Sequence, residues 1–215
     1  MIRDSASNEL FTILLVLGLI IIAAAKLLAP KRFNDFVFVI GNYRYLKIYS
    51  REQKFFDKFD ALLFINLILS ASVFCFIIYQ FVTNSRTLSG NLMFKLTFGI
   101  GLFVLIKVLI ERLIGSLFEI DKLVDAYLFQ KISYKNYLGL LLLPINTLFI
   151  FSITPLLSTF YVAIGLLLVV NIIGLVTSFK IYLSIIKNNL FYFILYLCAL
   201  EIAPYIILYK VFIAK

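Results

Sequence analysis

The chain is predicted to be all-α: a polytopic membrane helical bundle of about six transmembrane helices, with cytoplasmic amphipathic helices between them. Three observations carry that prediction. Hydrophobic residues make up 63% of the 215, charged residues only 14%, and the mean hydropathy is +1.06; soluble domains hold ~45–50% apolar and ~25% charged residues. The apolar residues come in runs of about 20 without period-2 alternation, which suits helices crossing ~30 Å of hydrocarbon rather than barrel strands. Finally, the basic residues that give the net charge of +9 gather in the breaks between those runs, as topology and contact with anionic lipid require, and do not form a separate basic domain.

The spans are expected at residues 9–29, 60–82, 92–118, 137–157, 160–186 and 190–213, within a single integral membrane domain covering residues 1–215. Leu10 to Ile22 followed by Ala23, Ala24 and Ala25 has the shape of a signal peptide. Asp4 and Glu9 cancel the positive lead that such a peptide needs, so the segment reads as a retained first span. Pro30 and Lys31-Arg32 end it. Ser158-Thr159 and Asn188-Asn189 are expected to form tight turns between the last three spans. Lys31, Arg32, Arg44, Lys47, Arg51, Lys54 and Lys58, then Lys122, Lys131 and Lys135, and finally Lys187 all fall on one side of a six-span chain. That side is expected to be cytoplasmic and both termini periplasmic.

Residues 31–58 form a cytoplasmic amphipathic basic segment, in which Phe36, Phe38, Tyr43, Tyr45, Tyr49, Phe55 and Phe56 alternate with cations. Lying in the interface, it would place rings at headgroup level and cations among anionic phospholipid. Arg44, Lys47, Arg51, Lys54 and Lys58 are therefore candidates for lipid or partner docking. A cytoplasmic partner or a ribosome contact are the other uses of such a surface; sequence-specific nucleic-acid binding is not expected. A second amphipathic stretch, Glu119 to Lys135, is expected to continue the third span and bend along the membrane surface.

The polar residues inside the apolar runs are the candidate site. Glu201 is the one acid of the last span, and a carboxylate at that depth costs about 2.5 kcal/mol or more unless it is neutralised, paired or hydrated. Lys107 and Glu111 share a face of the third span at i,i+4 spacing, with Arg112 beside them. Lys107 lies eleven residues from Phe118 and Glu201 eleven residues from Leu190, so the two are expected to meet at matched depth. Asn146 and Asn171 complete the expected polar cluster, with Asn66 as a further amide able to hydrogen-bond across helices. Pro144, Pro155 and Pro204 interrupt helices and release carbonyls.

Histidine is absent, which excludes His-based triads, His-ligated zinc or haem, and the H-E-x-x-H protease arrangement within this chain. No Walker loop, nucleophile elbow or dinucleotide fingerprint is present. Cys75 and Cys198 both fall in expected spans, where thiols usually act as apolar fillers. No catalytic residue, metal site or cofactor is expected.

The run LYLCALEIAPYIILYK, from Leu195 to Lys210, taken with NYRYLKIYSREQKFFDKF, from Asn42 to Phe59, resembles an uncharacterised family of six-span inner-membrane proteins of Bacteroidota, a domain of unknown function. The resemblance covers most of the chain, and Glu201-x-x-Pro204 is its most specific element. It implies a bacterial inner (cytoplasmic) membrane location and supplies no chemistry. The expected function is that of a non-enzymatic accessory subunit, bound to other integral membrane proteins of a larger complex such as a protein export or insertion machinery. The rivals are a small ion-coupled transporter using Glu201 and Lys107, and a lipid-modifying enzyme using Glu111 and Glu201.

Overall fold

A computed structural model of the chain describes residues 9–41, 44–50, 57–83, 90–117, 121–152 and 156–186. Among these residues the elements are all helical: α1 (Glu9–Leu28), α2 (Pro30–Val37), α3 (Arg44–Tyr49), α4 (Lys58–Thr83), α5 (Gly90–Leu117), α6 (Asp121–Phe151) and α7 (Leu157–Ile186). Four of them, α1, α4, α5 and α7, are long and apolar enough to cross a membrane, α7 over Leu157–Thr177. These helices are compatible with a multi-pass membrane protein. The expected span 190–213 lies outside the described residues.

Local sequence sets the helix ends. Glu9 in the first turn of α1 and Lys26 in its last complement the helix dipole. Pro30, which has no N–H to donate, then opens α2. Asp57 caps α4: its Oδ1 accepts the Phe59 N–H at 3.1 Å and its carbonyl accepts the Ala61 N–H at 3.0 Å. Helix α6 passes through Pro144 without ending.

Contacts between side chains fix the directions. Asp60 meets Asn136, and Ser70 meets Asn146, with Leu67 against Gly139 between them, so α4 and α6 run parallel. Helix α1 is antiparallel to α4, with Phe11 on Phe76 at 5.6 Å and Gly18 beside Asn66. Gly115 faces Val124 across an equally close α5–α6 contact, and these two helices are antiparallel. Tyr134 beside Gly174 and Phe149 stacked on Phe160 at 4.9 Å make α6 and α7 antiparallel. Helices α4 and α6 are therefore the axis of the bundle, and α1, α5 and α7 flank it.

Two apolar clusters fill the interior. One, built on Phe11, Phe74, Phe76, Met93, Phe149 and Phe160, lies toward the start of α1 and the end of α4. The other, built on Ala25, Phe36, Tyr45, Phe59, Leu63 and Phe129, lies at the opposite end, beneath α2 and α3.

That second cluster corrects two expectations. Phe36 and Tyr45, placed by sequence at headgroup level, are buried at 0% and 1% exposure. The reason is the amphipathic period of α2, which turns Phe33 and Phe36 inward, Phe36 onto Phe59 and Tyr137. Helices α2 and α3 form a lid on the bundle, with Phe38 and Ile48 left outward. The stretch 121–135 also does not extend α5 along the surface. It is the first half of α6, and its apolar face (Val124, Tyr127, Leu128) is buried at 2–4%. The turn expected at Ser158-Thr159 falls earlier, since α7 already begins at Leu157 and the Thr159 hydroxyl accepts the Leu156 N–H at 3.2 Å.

Candidate functional site in the polar interior

Two charged clusters occupy the same end of the bundle, and each joins elements far apart in sequence. The first sits between α5 and α6. Glu111 is fully buried, and its Oε1 accepts a hydrogen bond from Lys131 Nζ at 2.6 Å. Its second oxygen, Oε2, is buried with no hydrogen-bond partner among the described residues. Lys107, one turn earlier on the same helix, is 5% exposed. At the residue of α5 next to Glu111, Arg112 Nε stands 3.6 Å from Asp125 Oδ1, and both side chains are more than one-third exposed. The antiparallel crossing makes these pairs: residues that rise along α5 meet residues that fall along α6.

The second cluster is centred on Arg32 in α2. Its guanidinium pairs with Asp57 and, at 2.7 Å, with Asp60. The same group lies over the rings of Phe59 at 4.8 Å and Tyr49 at 5.1 Å from their centroids. Tyr49 in turn donates its hydroxyl to Asp35 at 3.2 Å. Arg32 therefore ties the lid to the first turn of α4, next to the cap that Asp57 forms. Burial pushes the Tyr45 phenol above its ordinary value, so it stays neutral beneath this cluster.

A third polar group runs along the α4–α6 seam. The Asn146 amide donates to the Ser70 carbonyl at 2.8 Å, and Asn136 reaches the Asp60 carbonyl at 3.5 Å. Asn66 is completely buried on the same face of α4, one turn from Ser70. Asn146 and Asn136 thus bridge the two helices, while the Asn66 amide has no hydrogen-bond partner among the described residues.

The structure brings together only part of the expected site. Glu111, Lys107 and Arg112 do share one region of α5, but the partners of Glu111 and Arg112 are Lys131 and Asp125 on α6. Asn146 is buried in the α4–α6 seam, and Asn171 is exposed on α7. Glu201, and with it the expected contact to Lys107, lies outside the described residues. Of the docking residues, Lys47 and Lys58 are exposed, Arg44 begins α3, and Arg51 and Lys54 lie outside the described residues. Sequence reasoning missed Lys131, Asp125, Arg32, Asp57 and Asp60. The signal for Lys131 and Asp125 was ambiguous: the period of 121–135 also fits a separate antiparallel helix, which brings both opposite Glu111 and Arg112. Arg32 was counted only as topology charge.

Chemically, the interior is a set of ion pairs and amide bridges between helices. No group of three or more Cys, Asp or Glu side chains able to hold a metal occurs among the described residues. No curated protein and no solved structure matches the chain. One family does match, over residues 11–212, and by that match the chain belongs to the family described as Domain of unknown function (DUF4271).

Proposed function

We propose that the chain is a non-enzymatic accessory subunit of a multiprotein complex in the bacterial inner membrane, one of the protein export or insertion kind. The observation that supports this reading is the way charge is divided. The buried Glu111, the largely buried Arg32 and the more exposed Arg112 are each committed to pairs that fasten one element to another. Such pairs specify which helices associate. Lys47 and Lys58 are exposed, with Ile48 41% exposed beside Lys47. A chain that spends paired charge on holding its shape, and keeps cations with an apolar neighbour exposed on its lid and at the start of α4, is suited to being held by something else. In this reading that end of the bundle is cytoplasmic, both termini are periplasmic, and six spans anchor the subunit.

The test is purification of the tagged chain at native expression level in mild detergent, in parallel with the Lys47→Glu, Lys58→Glu double variant. Partners in fixed stoichiometry with the parent, lost from a variant that still elutes as a folded chain, are the expected outcome. A parent that elutes alone, or partners retained by the variant, would sink the docking assignment.

A transporter reading rests on one observation: the buried Glu111 Oε2, with the buried Lys107 one turn away. An intramembrane carboxylate of this kind is a place to bind a proton or a cation. The reading requires pH-dependent flux in proteoliposomes that is lost in Glu111→Gln or Glu201→Gln.

A further inference from the structure

The corner where α1 hands over to α2 is built differently from the rest of the lid. Lys26 lies in the last turn of α1 and Lys31 in the first turn of α2, and both are exposed. Between them Leu27 and Leu28 stand 81% and 59% exposed. Pro30 and the non-helical backbone at Ala29, with φ −146° and ψ 72°, break the helix there. One side of the break is firmly buried, since Ala25, Phe33 and Phe36 all enter the lower apolar cluster. The other side points out: Lys31, Asn34 and Phe38 fall on one face of α2, and Phe38 is 70% exposed.

We propose that this corner is a binding site for anionic phospholipid, with Lys26 and Lys31 on the headgroup phosphate and Leu27, Leu28 and Phe38 on the upper acyl chain. The position along the chain carries the argument. Leu27 and Leu28 end a helix long and apolar enough to cross a membrane, so they sit at the edge of the hydrocarbon. Exposed leucines there are stable against acyl chains and unfavourable in water. Lysines directly before and after them can bury their stems against that apolar surface and raise their ammonium groups to the phosphates. Two cations within six residues, flanking exposed aliphatic side chains, match a negative lipid with two chains better than a neutral one. An acidic protein would satisfy the lysines while leaving the leucines and Phe38 against polar surface. The site involves none of the residues assigned to partner docking, so it stands or falls separately from that reading.

The chain contains no tryptophan, which makes a direct test possible. Leu27→Trp in the full chain is a lone tryptophan at the corner, excited selectively over the tyrosines, and Ile20→Trp, at a position 57% exposed near the middle of α1, is the reference. Each is reconstituted alone into phosphatidylcholine vesicles containing an equal mole fraction of either brominated phosphatidylglycerol or brominated phosphatidylcholine. At Leu27→Trp, quenching by the brominated anionic lipid should exceed that by the neutral one by about twofold or more. The excess should vanish when Lys26→Gln and Lys31→Gln are added, and Ile20→Trp should be quenched equally by both. Equal quenching at Leu27→Trp with both lysines present would overturn the proposal, leaving ordinary annular lipid. Quenching of Ile20→Trp without any at Leu27→Trp would also overturn it, by placing the corner out of contact with lipid and favouring a protein partner there.

Discussion

Helix α6 makes two close interfaces, each packed on a glycine, that differ in the polar groups they add. Against α4 it uses the absence of side chain: a Cβ on Gly139 would stand 2.6 Å from Leu67 Cα, so the two backbones touch and the amides of Asn136 and Asn146 reach main-chain carbonyls. Against α5 it adds charge to the contact of Gly115 with Val124, with Glu111 and Lys131 facing each other at 1% and 11% side-chain exposure. The first interface is made of many small dispersion and hydrogen-bond terms that need close approach. The second concentrates its specificity in a pair whose members are costly to bury singly. A bundle axis without much hydrophobic driving force between helices needs both.

The largest effect is therefore expected at the charged interface. Glu111→Ala leaves Lys131 beside an apolar helix with its nearest carboxylate gone, and removing one partner of a buried pair costs about 3–5 kcal/mol. Unfolding in mixed micelles with increasing dodecyl sulfate should register that loss. Adding Lys131→Met to the same chain should recover much of it, because the burial penalty then disappears from both sides. If the double variant is no more stable than Glu111→Ala, the two residues are not a coupled pair and the contrast between the interfaces loses its charged half.

Gly139→Ala attacks the other interface with a single methyl group. The neighbour it meets is the backbone of Leu67, which cannot swing aside as a side chain could. Overpacking of this kind costs about 1–3 kcal/mol, and a backbone neighbour points to the upper part of that range. The same titration measures it. Gly99→Ala in α5 is the matching control, since nothing lies within 4 Å of a Cβ there, and in a helix interior Ala is favoured over Gly by roughly 1 kcal/mol. Equal responses at the two positions would show that α4 and α6 do not approach as closely as the α4–α6 seam requires.

These interfaces also explain what was legible in the sequence. Helicity, the ends of α1 and α4 and the polar character of the α5 face were readable, because they depend on hydropathy, on Pro30 and on i,i+4 spacing. The partners of Glu111 and Arg112 were not, because a pair between helices depends on where the chain reverses. Residues 119–135 carry an apolar period that fits either a surface extension of α5 or the buried start of α6, and periodicity cannot choose between them. The lid was misplaced for a related reason. Aromatics interleaved with cations describe an interfacial helix and a lid equally well, and the deciding contacts, Phe36 on Phe59 and Tyr137, come from helices remote in sequence. The importance of Arg32 likewise appears only when Asp57 and Asp60 are brought to it.

The weakest expected effect tests the gradient within the charged interface itself. Arg112 and Asp125 are joined at 3.6 Å, with side chains 37% and 47% exposed, so water screens them where it cannot reach Glu111. An exposed pair of this kind is worth about 0.2–1 kcal/mol. Arg112→Gln should accordingly shift unfolding only slightly, and raising salt should shrink the difference between Arg112→Gln and the parent further, since exposed charges respond to ionic strength. The loss in Glu111→Ala should change little with salt, because its pair is dry. A large, salt-insensitive loss in Arg112→Gln would mean that Arg112 serves the buried part of the network, and that the boundary between structural and screened charge lies closer to the end of α5 than its exposure indicates.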